Sequence, residues 1–362
     1  MNNIYIVDLI GTYCGCNYYD DSFAEKLSSQ GYKVEILSTY NHDNKKPFLP
    51  VVFGKNKIVA LFTLIYAYVK YIIFVLFHRK SLFIYITYGE FYDLLFLTSS
   101  WFCKKVVADV HEVHALKYKD ESRISKIFNW FYVSFLHCII YHSDRTFNTL
   151  KTAGYKKDML YVPHFKYQVK KTYEEDNLST EINNVFTTTA KIKFLFFGNL
   201  SYVKGIDVVC QYFENLREEF RSEVELVIAG KNVENIDFSS LRKYDNYHVF
   251  DRHINDDELV YLYAHTDYVL LPYRKSSQSG IFEMATCFRK PMLLTDIPYF
   301  HSMITRFPSF GVESSIDKYN SLIDNVIKNH GRPQYYNQKD CDMNDMKIEI
   351  NTFLKEFNLK FS

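Results

Sequence analysis

One stretch restricts the fold of this chain more than any other: YVLLPYRKSSQSGIFEMATCFRKPMLLTD, residues 268–296. It opens with an apolar run, 268–271, of the length expected for a buried strand. Pro272 stops that run, because proline has no N–H to give to a sheet ladder. A small polar loop follows over 276–280, then helical spacing over 281–287, then a second apolar run over 292–295. Strand, Gly/Ser loop, helix and strand make a βαβ unit, and such loops lie where a parallel sheet holds its ligands. The first N–H groups of the helix and its positive dipole end form a ready anion site, with Arg274 and Lys275 just before it. A phosphate ester is the ligand this pattern favours. Many βα turns carry Gly and Ser for geometry alone, so a plain turn is the competing reading.

At 362 residues the chain is long for one domain and comfortable for two. Residues 1–166 carry 20 Lys and Arg against 14 Asp and Glu, whereas 167–362 carry 23 against 28. The basic front half suits an anionic partner such as a membrane surface or a pyrophosphate, and scatter among solvated faces is the alternative. No nucleic-acid motif accompanies that modest excess, so no nucleic-acid partner is expected. Seven dispersed cysteines do not form a disulfide framework, and a reduced cytoplasmic setting is expected. The N-terminus has no basic start and no cleavage pattern, and reads as a first strand.

In chain order, 4–9 is a strand, 11–17 a glycine-bearing turn, 22–29 an amphipathic helix and 34–37 a second strand. The turn does not match the GxGxxG dinucleotide fingerprint. Residues 58–77 are the most apolar piece, with Lys70 as the one charge and enough length to span a bilayer. A span there would part strands 4–9 and 34–37 from the next strand, 82–87, so a helix partly in the core and partly docked on a membrane is expected. Its less apolar stripe is Thr63, Ala67 and Lys70, and His78, Arg79 and Lys80 follow it. Strand 105–110 ends in DVHEVH, where His111 and His114 lack an evident third metal ligand, and a satisfied structural histidine is the competing reading. Strands 138–142 and 160–163 close this half. A polar stretch to about 191 reads as linker, and a second α/β series then runs from 192, with strands 193–197, 224–229 and 247–250 and helices 206–220, 256–264 and 316–328.

Four segments resemble the retaining GT-B glycosyltransferases of family 4. FGNLSYVKGID, residues 197–207, is similar to their glycine turn and KG-hydrophobic-Asp segment; ELVIAG, residues 225–230, to the next strand and its glycine. Residues 256–272 and QSGIFEMA, 278–285, resemble the stretch leading into the donor-phosphate loop and that loop's helix, in a variant reading LPYR…SQSG. Gly15, sixteen residues before Gly31, sits as that family's first glycine turn does. The resemblance implies two Rossmann-like domains facing each other across a cleft. They would be an acceptor-binding domain over 1–166, a nucleotide-sugar-binding domain over 167–345, and a helix over 346–362 packing back on the first.

Carried onto this sequence, the resemblance implies Lys204, Glu283 and His111 as catalytic. Lys204 neutralises the donor diphosphate, Glu283 accepts hydrogen bonds from the donor ribose, and His111 orients the reacting sugar. Gly198, Asn199, Gly230, Arg274, Lys275, Gln278, Ser279, Gly280 and Ile281 complete the donor site, and Gly15 and Asn17 join His111 on the acceptor side. Two positions depart from the pattern: Lys275 stands where the first acid of the E-x7-E pair belongs, and Asn199 where an arginine does. Asp20-Asp21 and Asp256-Asp257 read as acids at helix starts, so no metal is expected. The implied activity is transfer of a sugar from a UDP- or GDP-sugar, with no further cofactor, to a glycan or lipid-linked glycan. The basic front half and the apolar 58–77 helix point to a lipid-linked acceptor at the inner face of the cell membrane, with the chain peripheral on an anionic surface, and the resemblance fits that setting to bacterial surface polysaccharide assembly. An epimerase or phosphorylase on the same fold, and a non-catalytic nucleotide-sugar-binding partner of another transferase, are the alternatives.

Overall fold

The computed structural model describes residues 3–11, 17–41, 46–52, 56–103, 105–113, 123–162, 167, 169–186, 192–276, 278–330 and 344–361. The chain divides into two compact units, Met1–Tyr167 with Asn344–Ser362, and Gln168–Met343.

In the first unit six strands form one parallel sheet: β1 (Asn3–Asp8), β2 (Lys33–Ser38), β3 (Leu82–Thr87), β4 (Lys105–Val110), β5 (Cys138–Tyr141) and β6 (Asp158–Tyr161). Their spatial order is β2-β1-β3-β4-β5-β6. Every residue of β3 is buried, which is why such strands read as unbroken apolar runs. Between the strands run α1 (Asn17–Ser29), α2 (Lys57–Phe77), α3 (Phe91–Leu97), α4 (Arg123–Phe135) and α5 (Asp144–Thr152). The chain goes from β1 to β2 on one side and then crosses to β3 on the other, so the order reverses at β1 and β3.

The second unit repeats the plan with β7 (Ile192–Phe197), β8 (Val224–Ala229), β9 (Tyr247–Phe250), β10 (Tyr268–Leu271), β11 (Met292–Thr295) and β12 (Gly311–Ser314). Their order is β12-β11-β10-β7-β8-β9, again all parallel. Its helices are α6 (Thr180–Asn183), α7 (Ile206–Glu214), α8 (Glu218–Arg221), α9 (Asp256–His265), α10 (Gly280–Cys287), α11 (Pro298–Arg306) and α12 (Tyr319–Lys328). Phe194, Leu226 and Leu270 are fully buried in this unit's core; each such side chain contributes roughly 1.5–3 kcal/mol. The order reverses between β7 and β10, which puts the 198–205 and 272–279 loops together at the C-terminal edge where open α/β sheets bind ligands.

The last helix, α13 (Asn344–Phe361), belongs to the first unit. Phe353 packs on Phe23, Phe357 meets Tyr32 edge-on, and Lys360 pairs with Asp158.

Two local readings need correction. The linker stretch is built into the second unit: Asp257 accepts from the Glu174 N–H at 3.1 Å and from Asn177 Nδ2 at 2.6 Å. Arg252 bonds both Ser179 Oγ and the Glu258 carboxylate. Burial opposes charge on Glu258, yet the bonds from Arg252, Ser179 and Asn255 outweigh it and bring that carboxyl down to about 2. The helix read over 206–220 is two, α7 and α8, with a break over 215–217. Helix α2 faces the other way round from an ordinary surface helix. Its buried line is Ala67, Tyr71 and Val75, with Thr63 and Lys70 half-buried beside it. The Tyr71 hydroxyl meets those of Tyr85 in β3 and of Ser99, and Lys70 Nζ donates to Phe48 O, so these polar atoms are used within the first unit.

Candidate active site

Two glycines shape the floor of the second unit's loop pair. Gly230 has φ +140°, and a Cβ there would lie 1.9 Å from Gly198 O; Gly198 itself has φ +109° and faces the Ile281 side chain. Backbone packing therefore requires glycine at 230, and the positive φ favours it at 198. Asn199 is exposed beside them.

Lys204 ends a single 3-10 turn, Tyr202–Lys204, and its ammonium lies 3.8 Å from the ring centre of buried Tyr273, in the facing loop. Gly205 then turns left-handed at φ +75°, and a Cβ on it would strike Pro272 O at 1.9 Å. The two loops are laced together by Arg274. Its backbone N–H donates to Val203 O at 2.9 Å, and its guanidinium bonds Tyr202 O and, through two parallel contacts of 2.6 and 2.7 Å, Asp207. Arg274 thus positions the Lys204 turn, a use that a partner 67 residues away in sequence conceals. Lys275 is half-buried next to it.

Ser279 caps α10, its Oγ accepting from the Phe282 N–H at 3.2 Å. Gly280 and Ile281 supply the first N–H groups of that helix, which have no partner within it. Gln278, half-buried, precedes them and its carbonyl accepts from Ser276 Oγ. In the first turn Glu283 is wholly buried. Its Oε1 accepts from Tyr299 OH at 3.3 Å, and its Oε2 has no hydrogen-bond partner among the described residues. Burial pushes its carboxyl up to about 8, against a smaller opposing effect of the Tyr299 hydroxyl. A carboxyl held this way in the first turn of a helix, near that helix's free N–H groups, is suited to a ligand bearing both hydroxyls and phosphates.

The first unit gathers a different set. Asp109, in β4, accepts from Tyr19 OH at 2.5 Å and contacts His142 Nε2 at 2.6 Å. His142 Nδ1 lies 3.0 Å from Val162 O, and His111 Nε2 lies 3.6 Å from Asp109 Oδ1. Tyr19 meets His111 edge-to-face at 4.5 Å, and all four residues are buried. Asp109, His111 and His142 bring their ligand-type atoms within 4.8 Å of one another, a geometry that could hold a metal ion. The third group that sequence reading did not find is therefore His142. Val110 is in register with Tyr141, so His111 and His142 follow neighbouring strand ends, an adjacency set by strand order. Asn17 starts α1, two residues from Tyr19. Gly15 and His114 lie outside the described residues.

Residues 179–340 match the family model for glycosyl transferases group 1. That match falls in the second unit. No curated protein matches the chain. Among solved structures it is similar to sucrose-phosphate synthase (tll1590) from Thermosynechococcus elongatus, at 11% identity and TM-score 0.67, over 100% of this chain and 98% of that one. The fold is GT-B. A second neighbour is Anabaena Alr3699/HepE in complex with UDP and glucose, at 11% identity, TM-score 0.66 and 99% of both chains. A third is WaaG, a glycosyltransferase involved in lipopolysaccharide biosynthesis, at 13% identity, TM-score 0.63, over 98% of this chain and 94% of that one. At these identities the likeness is one of fold, and it extends over both Rossmann-like units.

Proposed function

We propose that this chain is a retaining glycosyltransferase of family 4 that uses a nucleotide-diphosphate sugar, UDP- or GDP-linked, as donor. The observation that carries the reading is Glu283: a buried carboxyl in the first turn of α10, the helix opened by Ser279–Gly280–Ile281, with one oxygen lacking a partner among the described residues. A ribose diol donating to Glu283 leaves the diphosphate within the reach of a helix N-terminus. In the reaction the C1–O bond to the diphosphate breaks and an acceptor hydroxyl oxygen bonds C1 on the same face. The hydroxyl proton passes to the departing phosphate oxygen. Lys204 and the helix N–H groups stabilise the charge that grows on that oxygen, without a metal. His111 is assigned to the acceptor side, together with Asn17.

The acceptor we infer is a glycan carried on a lipid, and the role bacterial surface polysaccharide assembly; the group 1 family match and the WaaG likeness support this direction. Lys275, in the place of the family's first acid, favours one second reading, a chain that binds the nucleotide sugar for a partner transferase without turnover.

The test is a thermal-shift panel of UDP, GDP, ADP, CMP and their sugar conjugates, with Lys204→Ala alongside. A ligand of the folded state raises Tm by mass action. One diphosphate that shifts Tm in the wild type and by clearly less in the variant is the expected result. Release of that diphosphate from its sugar conjugate with an acceptor present then separates transferase from binding partner. A flat panel overturns the donor site.

A further inference from the structure

The first unit carries an apolar surface that the donor chemistry does not use. Helix α2 buries only the line of Ala67, Tyr71 and Val75, and its opposite face is Ile58, Phe62, Ile65, Val69, Ile73 and Phe77, all exposed. Phe62 is 67% and Phe77 83% exposed, values ordinary for lysine and far from ordinary for a run of large apolar side chains. The surface continues beyond the helix. Arg79 donates to Phe102 O, tying the end of α2 to the 98–102 turn. Trp101 from that turn stacks on Phe131 and meets Phe135 of α4, and Trp130 packs edge-on against the same two rings. Trp101 and Trp130 are themselves 55% and 53% exposed.

We propose that this face, α2 with Trp101, Phe102 and Trp130, docks in the plane of an anionic phospholipid bilayer. Charge selects the occupant. Lys57 stands exposed at one end of α2 and Arg79 and Lys80 at the other, Arg123 and Lys126 are exposed on α4, and neither helix nor the 98–102 turn contains an acid. Basic residues at the margin of an apolar face, with indole rings beside them, match a bilayer's headgroup layer over its acyl chains. A second copy of the chain does not match: two α2 helices laid face to face set Lys57, Arg79 and Lys80 against the same charges, with no acid to pair them. A soluble partner is a poor match as well, because protein interfaces carry polar contacts at a density this face does not offer.

The helix is long and apolar enough to cross a membrane by composition. Its bonds within the first unit decide against crossing: Tyr71 reaches Tyr85 of β3 and Ser99, Tyr68 OH lies 2.7 Å from Thr98 Oγ1, and Lys70 holds Phe48 O. The helix therefore lies on the bilayer while the sheet stays whole. This inference rests on the first unit's surface and is independent of the transferase reading, since vesicle binding and nucleotide binding are read separately.

Both tryptophans of the chain are on this face, so its own fluorescence reports the docking. The full chain is titrated with vesicles of phosphatidylcholine and of phosphatidylcholine mixed with phosphatidylglycerol, each with and without brominated acyl chains. Expected are a blue shift and bromine quenching on the anionic vesicles and little on the neutral ones. Phe62→Glu with Ile65→Glu, both at exposed positions that leave the core intact, weakens vesicle binding by about tenfold or more. Lys57→Glu with Lys80→Glu removes the preference for phosphatidylglycerol. Wild-type emission unchanged by either vesicle overturns the proposal without relying on any variant. So does a concentration-dependent dimer in which the indoles are already shielded, which assigns the face to a second copy.

Discussion

The two sheets reverse strand order in the same way, yet they furnish their C-terminal edges differently. In the second unit the edge is made by backbone: Gly198, Gly205 and Gly230 let three strand-end loops press together, and the helix N–H groups of α10 point out of them. In the first unit the corresponding edge is made by side chains, with Tyr19, Asp109, His111 and His142 closed into one buried cluster. Backbone donors suit an oxyanion shared by many ligands, whereas a side-chain cluster can be fitted to one partner. Under the proposed function, the common phosphate chemistry falls to the second unit and the variable part of recognition to the first.

The largest effect expected from breaking this contrast is at Gly230. A valine there meets both φ +140° and Gly198 O, and costs on the order of 4 kcal/mol, read as a lower urea midpoint. His142→Phe is next. It removes a partner of buried Asp109, costs about 3 kcal/mol, and leaves the nucleotide-induced Tm shift of the second unit unchanged.

Glu283→Gln acts with opposite signs on stability and binding. The folded chain keeps on Glu283 a proton that the unfolded chain, with the ordinary value of 4.5, releases earlier. Wild-type stability from this group therefore falls as pH rises from 4.5 to about 8, and E283Q is the more stable chain above that range by on the order of a few kcal/mol. Ribose hydroxyls favour the carboxylate, so nucleotide affinity in the wild type rises with pH through about 8 and is weak and flat in E283Q, by calorimetry at several pH values. Lys204→Ala weakens diphosphate binding about tenfold with little change in Tm of the free chain. The smallest effect is Arg274→Lys, about threefold on the same binding curve, because lysine cannot keep both contacts to Asp207.

The sheets were legible because parallel strands covered on both faces, such as 82–87 and 224–229, leave unbroken apolar runs. The donor loop was legible because Pro272 and the Ser279 cap punctuate it. Shorter elements escaped. Edge strand β12 opens on a glycine and is only half-buried beyond it, and α5 buries just Thr146 and Leu150, so neither carries a clear period. The pairings that define the sites, Arg274 with Asp207 and Asp109 with His142, join distant positions and depend on strand order, which no local pattern contains. The outward face of α2 was half legible: its apolarity was plain, but which side met the sheet depended on Tyr71, Tyr85 and Ser99 coming together.

Helix α13 gives the molecule a particular order of assembly. The first unit owns both the opening stretch of the chain, to Tyr167, and its final helix, with the second unit inserted between them. A chain emerging from the ribosome thus releases every strand of both sheets before Phe353 and Phe357 arrive to cover Phe23 and Tyr32. The part that is made first is the part that is finished last, and a chain cut short after 343 would expose the patch that α13 covers.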